Sequence, residues 1–168
     1  RSSITDLGNV AIIPGLINAH AHLEFSDLSE PIQPPNPFTG WIKNLMGYRN
    51  SRETPHAELI ADGLAESVRC GTCAVGEIAT GDWEPPVFSN ADTPLPQLIA
   101  FRECIGLRPE QQAEQLQLVN QHIDDIRVLS AAEPDNKRRQ LTPAISPHAP
   151  YSVAFELFES LVSIAAAE

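Results

Sequence analysis

The feature that most constrains this chain is its alternation of short apolar runs with amphipathic stretches. Apolar runs cover residues 16–22, 72–78, 98–104 and 141–146, with a shorter run at 10–13 cut by Pro14-Gly15. Helical periodicity appears over 41–48, 55–69, 109–132 and 153–167. In the longest of these, Leu116, Val119, Ile123 and Ile126 form one apolar stripe and Gln, Glu and Asp cover the other faces. Pro55 opens the second stretch and Gly71 follows its end, the usual asymmetry of helix punctuation. Strands that alternate with helices predict an α/β fold, a parallel sheet with helices packed outside. Such sheets gather their working residues at the carboxyl ends of the strands. Here those ends carry His20 and His22, Glu77, Arg102 with Glu103, and His148. Glu77 either faces a pocket or simply terminates its strand. The Pro-rich segment 26–40 is a loop long enough to suggest a working role.

Composition narrows the class. With 42% apolar and 20% charged residues, the chain is globular rather than disordered. No apolar run approaches the ~18 residues that suggest a membrane span, and the first fifteen residues lack the layout of a signal peptide. A net charge of −11 repels polyanions, which argues against a nucleic-acid partner. The one basic cluster, Lys137-Arg138-Arg139, reads as a solvated loop. Three cysteines suit a reducing cytoplasm better than a disulfide framework.

The histidine pair carries the chemistry. Residues two apart in a strand project to the same face, so His20 and His22 can share one metal ion. Neutral imidazole suits zinc and iron. Two other motifs compete. Cys70-Gly71-Thr72-Cys73 follows a helix and opens a strand, the reverse of a redox C-x-x-C, and no second ligand pair stands near it in sequence; core cysteines beside a Gly turn are the expectation. His22-Leu23-Glu24 with that C-x-x-C imitates the zinc nucleobase deaminases, but Arg69 stands where their Pro belongs and His20 is left unexplained. His56 and His122 fall in helices and are expected at the surface.

The run IIPGLINAHAHLEFS resembles the opening of the amidohydrolase superfamily, in which a P-G-x-(I/V)-(N/D)-x-H-x-H segment ends the first strand of a TIM barrel. It looks like the branch that holds chlorohydrolases and purine-type aminohydrolases. Cys70-Gly71-Thr72, the segment Phe101-Arg102-Glu103-Cys104-Ile105-Gly106 and the segment Ser146-Pro147-His148-Ala149-Pro150-Tyr151-Ser152 resemble the branch's second-, third- and fourth-strand motifs, in the right order.

The resemblance implies a partial (β/α)8 barrel of about four strand–helix units over residues 14–168, with 1–13 a remnant of a flanking β-sandwich domain. It implies His20 and His22 as ligands of one divalent metal, zinc first and iron second. His148 matches a position that faces substrate, Trp41 a substrate-covering tryptophan, and Glu24 and Glu103 lie near the expected pocket. The implied activity is hydrolytic deamination of an amino-purine or related heteroaromatic ring, in which the metal lowers the pKa of its water and the resulting hydroxide attacks the ring carbon. Release of chloride or opening of a cyclic amide are the alternatives within the class. The family's third metal His, later catalytic His and metal Asp have no counterpart, because no His or Asp follows His148. A complete barrel needs ~250 residues, so the expectation is an internal piece of a longer enzyme, inactive alone. A gene ending near residue 168 would instead make it a non-catalytic half-barrel module. The expected partner is a small-molecule substrate, with no membrane, no nucleic acid, and room for a homo-oligomer.

Overall fold

A computed structural model describes residues 4–34, 36–81, 83–85, 95–132 and 141–167. Its centre is one parallel sheet of four strands in the order of the sequence: β1 (Leu16–Ala21), β2 (Thr72–Ala79), β3 (Gln97–Cys104) and β4 (Leu141–Pro147). Around it lie α1 (Phe38–Ser51), α2 (His56–Arg69), α3 (Pro109–Ala132) and α4 (Phe155–Ala167). All four expected strands and all four helices are present, and the parallel, sequential order is that of an opened (β/α) barrel. Among the described residues the connection from β2 to β3 carries no helix, so strand–helix pairing is complete for β1, β3 and β4. The basic loop Lys137-Arg138-Arg139 lies outside the described residues.

Burial alternation shows which way each strand faces. Along β3, Leu98, Ala100, Arg102 and Cys104 are buried while Ile99, Phe101 and Glu103 are only partly so. The buried set looks toward the helices. Leu98 packs with Leu23, Ile60, Leu64 and Val75 beneath α2, and Cys104 packs with Val119, Ile123, Val153, Leu157 and Leu161 beneath α3 and α4. Each fully buried Leu or Ile contributes roughly 1.5–3 kcal/mol, so these two clusters hold helices to sheet. The half-exposed set, including Glu103, faces what would be the barrel interior.

Two glycines allow the geometry that matters later. Gly71, at φ +85, closes α2 in a left-handed turn that only glycine adopts readily, and the chain enters β2 directly. Gly76 lets β1 approach β2: a Cβ there would sit 2.5 Å from the Ala19 carbonyl oxygen.

The structure corrects several local expectations. The run at 10–13 forms no strand and lies exposed, with Ile12 81% accessible; four apolar residues without a partner strand cannot satisfy their backbone in a ladder. The first helix is longer than expected, Phe38–Ser51 rather than 41–48, and so shortens the Pro-rich loop. Cys70 and Cys73 are exposed rather than in the core, because Cys70 caps α2 and Cys73 lies in the exposed opening of β2; Cys104 is the buried thiol. His56 and His122 are buried rather than at the surface. His122 lies over β3, where Nε2–H donates to the Ala100 carbonyl at 2.9 Å, and burial pushes its pKa down.

Candidate metal and substrate site

The site is built from the end of β1. Ala21 packs against the cluster beneath α2, so its neighbours His20 and His22 turn to the opposite face. Their rings stand edge to face with centroids 5.4 Å apart. A bulge in the β1–β2 register between Asn18 and Ala21 accompanies this turn of the strand. His20 is exposed and His22 half-buried. Burial holds the His22 imidazole below its ordinary pKa, and the nearby carboxylates of Glu103 and Glu24 oppose that shift. An imidazole kept neutral is in the form that binds a metal. Its Nδ1 is buried without a hydrogen-bond partner among the described residues.

Directly after His22 the chain makes a single 3-10 turn, Leu23–Phe25. It holds Glu24, which is 2% exposed. Arg49 grips this carboxylate with both Nη2, 2.6 Å from Oε1, and Nε, 3.1 Å from Oε2. Arg52 Nη1 donates to Oε2 at 3.2 Å and to the Glu24 backbone carbonyl at 3.1 Å. Thr80 Oγ1 donates to Oε1 at 3.0 Å, and His56 Nε2 stands 3.7 Å from Oε2. The sequence reading missed Arg49, Arg52, Thr80 and His56. The available signal was physical rather than a motif: a buried carboxylate requires compensating charge and donors.

Glu77 behaves differently. It shares the helix-facing side of β2 with Val75 and Ala79, and is fully buried. Oε2 accepts the Leu23 backbone N–H at 2.9 Å, while Oε1 has no hydrogen-bond partner among the described residues. Burial lifts its carboxyl to about 8, so the group is largely protonated at neutral pH. It neither faces the pocket nor merely ends a strand; it anchors the turn after His22. Arg102 also points away from the interior. Its Nη1 donates to the carbonyls of Thr80, at 3.1 Å, and Gly81, at 3.2 Å.

Glu103, one residue on, takes the opposite face and pairs in register with Ser146. His148 follows β4 at the same end of the sheet, with its backbone N–H donating to the Cys104 carbonyl at 3.1 Å. Its Nδ1 lies 2.7 Å from Ser152 Oγ, and Tyr151 meets it edge to face. Trp41 sits on α1, stacked on Phe38 with centroids 5.8 Å apart. The structure therefore gathers His20, His22, Glu24 and Glu103 closely, sets His148 at the same end of the sheet, and stacks Trp41 with Phe38 on the outlying helix α1. Among the described residues no group of three or more His, Cys, Asp or Glu is arranged to hold a metal. Two imidazoles on one face fit two ligands of such a site.

No protein-family model matches the chain. It is 26% identical over 168 residues to a 5'-deoxyadenosine deaminase of Methanococcus vannielii, covering 98% of this chain and 37% of that protein. It is 24% identical to an adenosine deaminase of Helicobacter pylori, covering 94% of this chain and 35% of that protein. Among solved structures, the aminofutalosine deaminase of Helicobacter pylori in complex with methylthio-coformycin superposes with a TM-score of 0.63 at 22% identity, over 92% of this chain and 35% of that one. The zinc complex of atrazine chlorohydrolase from Arthrobacter aurescens gives 0.64 at 20% identity, over 92% of this chain and 38% of that one. The chain is thus related to deaminases of the amidohydrolase superfamily and shares the fold of their TIM barrels. It spans little more than a third of the length of the curated relatives it matches.

Proposed function

We propose that this chain is the amino-terminal half of the barrel of a metal-dependent hydrolase that deaminates an amino-purine or related heteroaromatic ring. The observation that carries the reading is the pair His20 and His22, set on one face at the carboxyl end of β1 in a sheet whose curated relatives are deaminases. These two imidazoles would hold a divalent metal, zinc before iron, with the remaining ligands supplied by later strands of a longer chain. When bound, the metal supplies Lewis-acid activation of water for attack on the ring.

The chain's own residues do the rest of the local work. Glu103 looks into the same space as His22 and offers a carboxylate to substrate donors. His148, braced by Ser152, presents its other ring nitrogen to a substrate hydroxyl or ring nitrogen. Trp41 on α1 offers an apolar plane to cover the ring. Residues 1–13 belong with a flanking domain, and three free thiols suit a reducing cytoplasm. No helix among the described residues is long and apolar enough to cross a membrane. Likeness to a chlorohydrolase supports a second reading, loss of chloride from a similar ring, since the same activated water serves either leaving group.

The test uses the full-length enzyme. Ammonia release from adenosine and 5'-deoxyadenosine is measured beside chloride release from a chlorinated triazine. Zinc content near one per chain and ammonia release are expected, and His20→Ala is expected to abolish both. His148→Ala should keep the metal and lower kcat/KM about ten- to a hundred-fold, the cost of one buried polar contact, ~1–3 kcal/mol. Full metal content and activity in His20→Ala would sink the ligand assignment. Loss of metal in His148→Ala would make that residue a ligand instead of a substrate contact.

A further inference from the structure

Among the described residues the polar cluster around Glu24 is heavily bonded, and its carboxylate comes within 4.0 Å of His22 Nδ1. We infer that Glu24 is a positioning residue: it accepts a hydrogen bond from His22 Nδ1–H, fixes the tautomer and orientation of that ring, and leaves Nε2 to the metal. This rests on the reading of His22 as a ligand.

Three observations carry it. His22 Nδ1 is buried with no hydrogen-bond partner among the described residues, a costly condition for an imidazole nitrogen. Glu24 Oε1 stands 4.0 Å from that nitrogen, so a small ring rotation brings the pair to hydrogen-bonding distance. The carboxylate itself cannot wander. Arg49 holds it with two nitrogens, and Arg52, whose side chain is 6% exposed, ties both its carboxylate and its backbone carbonyl. Thr80, just past the end of β2, holds Oε1 from the sheet side. Metal-bound histidines almost always donate their second nitrogen to a carboxylate or carbonyl, and the ring's aim is then set by how firmly that acceptor is held. A carboxylate that served only to join α1 to the sheet would not need to lie beside an unpartnered histidine nitrogen.

The cluster also joins two parts of the site. Arg49 is on α1, the helix that carries Trp41, and α1 buries no side chain of its own. The polar ties Arg49–Glu24, Tyr48–Asp27 and Asn44–Gln33, together with Tyr48 and Arg49 packed on the Phe25 ring, bind it to the segment after β1. The same carboxylate therefore aims His22 and holds the helix that bears Trp41.

The experiment compares the full-length enzyme with Glu24→Gln, which keeps the side chain's size and removes its charge. Zinc affinity is measured by chelator competition, and the visible spectrum is recorded after cobalt substitution. The expected result is about a ten- to hundred-fold weaker zinc affinity with an altered cobalt spectrum. A role confined to folding would lower the melting temperature of the metal-free protein and leave the cobalt spectrum unchanged, which would overturn the inference. Zinc affinity within twofold of the parent would overturn it too. If Glu24→Gln fails to fold, histidine-selective 1H–15N spectra of the zinc-loaded parent decide: Nδ1 protonated and Nε2 metal-bound at His22 supports the inference, and metal on Nδ1 refutes it. His22→Ala separates the two levels. If it binds zinc as tightly as the parent, the ligand reading has failed, whatever Glu24 does.

Discussion

Among the described residues, four side-chain donor groups converge at the end of β1 on the carboxylate that follows His22, whereas at the end of β4 His148 has a single side-chain hydrogen bond, to Ser152. The first corner is polar and closed: Glu24 and Arg52 are buried, and a protonated Glu77 anchors the turn from below. The second is apolar and open. Tyr151 is 75% and Phe155 68% exposed, and a cavity of about 390 Å3 lies between His148, Pro150, Phe155 and Phe158. In the reading proposed above, where His22 holds a metal and His148 meets substrate, the two roles would need different support. A ligand must be held to a few tenths of an ångström by its own surroundings.

The sharpest way to break this contrast is Gly76→Ala. The new methyl would meet the Ala19 carbonyl oxygen at 2.5 Å, and backbone cannot give way as a flexible side chain can. β1 must shift, and His20 and His22 shift with it. A loss of about 3 kcal/mol in urea unfolding is expected together with weakened zinc binding, while His148 and its surroundings stay as they are. A variant with parent stability and parent metal content would show that β1 does not depend on that close approach.

Glu77 gives a subtler test of the closed corner, through pH. Its folded pKa is about 8 against an ordinary 4.5. The unfolded chain releases this proton above about 4.5, and the folded chain keeps it until about 8. The stability this group contributes is thus complete below the lower value and lost progressively as pH rises to the upper one. Glu77→Gln keeps an oxygen for the Leu23 N–H and removes that dependence. Denaturant melts of the metal-free protein at pH 5 and pH 8 should show a flatter profile in the variant, on the order of 2 kcal/mol in its favour at the higher pH. Parallel profiles for the two proteins would mean that Glu77 is ionised in the fold.

The smallest effect belongs to the open corner. Ser152→Ala removes the hydroxyl 2.7 Å from His148 Nδ1. A neutral hydrogen bond at a site this exposed is worth ~1 kcal/mol, so kcat/KM of the full-length enzyme should fall roughly five-fold with metal content and melting temperature unchanged. A loss as large as that of His148→Ala would mean that Ser152 itself meets the substrate.

The outcome of the sequence reading differs element by element. The four strands and the helix at 109–132 were legible because apolar spacing is imposed by which face each element buries. The His pair was legible because its spacing is local: His20 lies near the end of β1 and His22 directly follows the strand, and their rings still meet at 5.4 Å despite the register shift before Ala21. Arg102 and Glu103 show the limit. They are adjacent in a recognisable motif, yet one points to the helices and the other to the interior, and only the register of β3 between β2 and β4 tells which. His56 and His122 show it again, since helical periodicity in polar stretches does not reveal which face meets the sheet.

By itself the sequence determined the class of fold and the order of its elements, because those properties follow from spacing along the chain; the choice of His20 and His22 as metal ligands came from the family resemblance. The tertiary structure alone decided that Glu24 would be held by Arg49, Arg52 and Thr80, from 25 to 56 residues away, and that Glu77 would be a buried, protonated anchor. Those roles depend on which distant groups arrive around a carboxyl group and how much water they displace, and neither is written in the neighbouring residues.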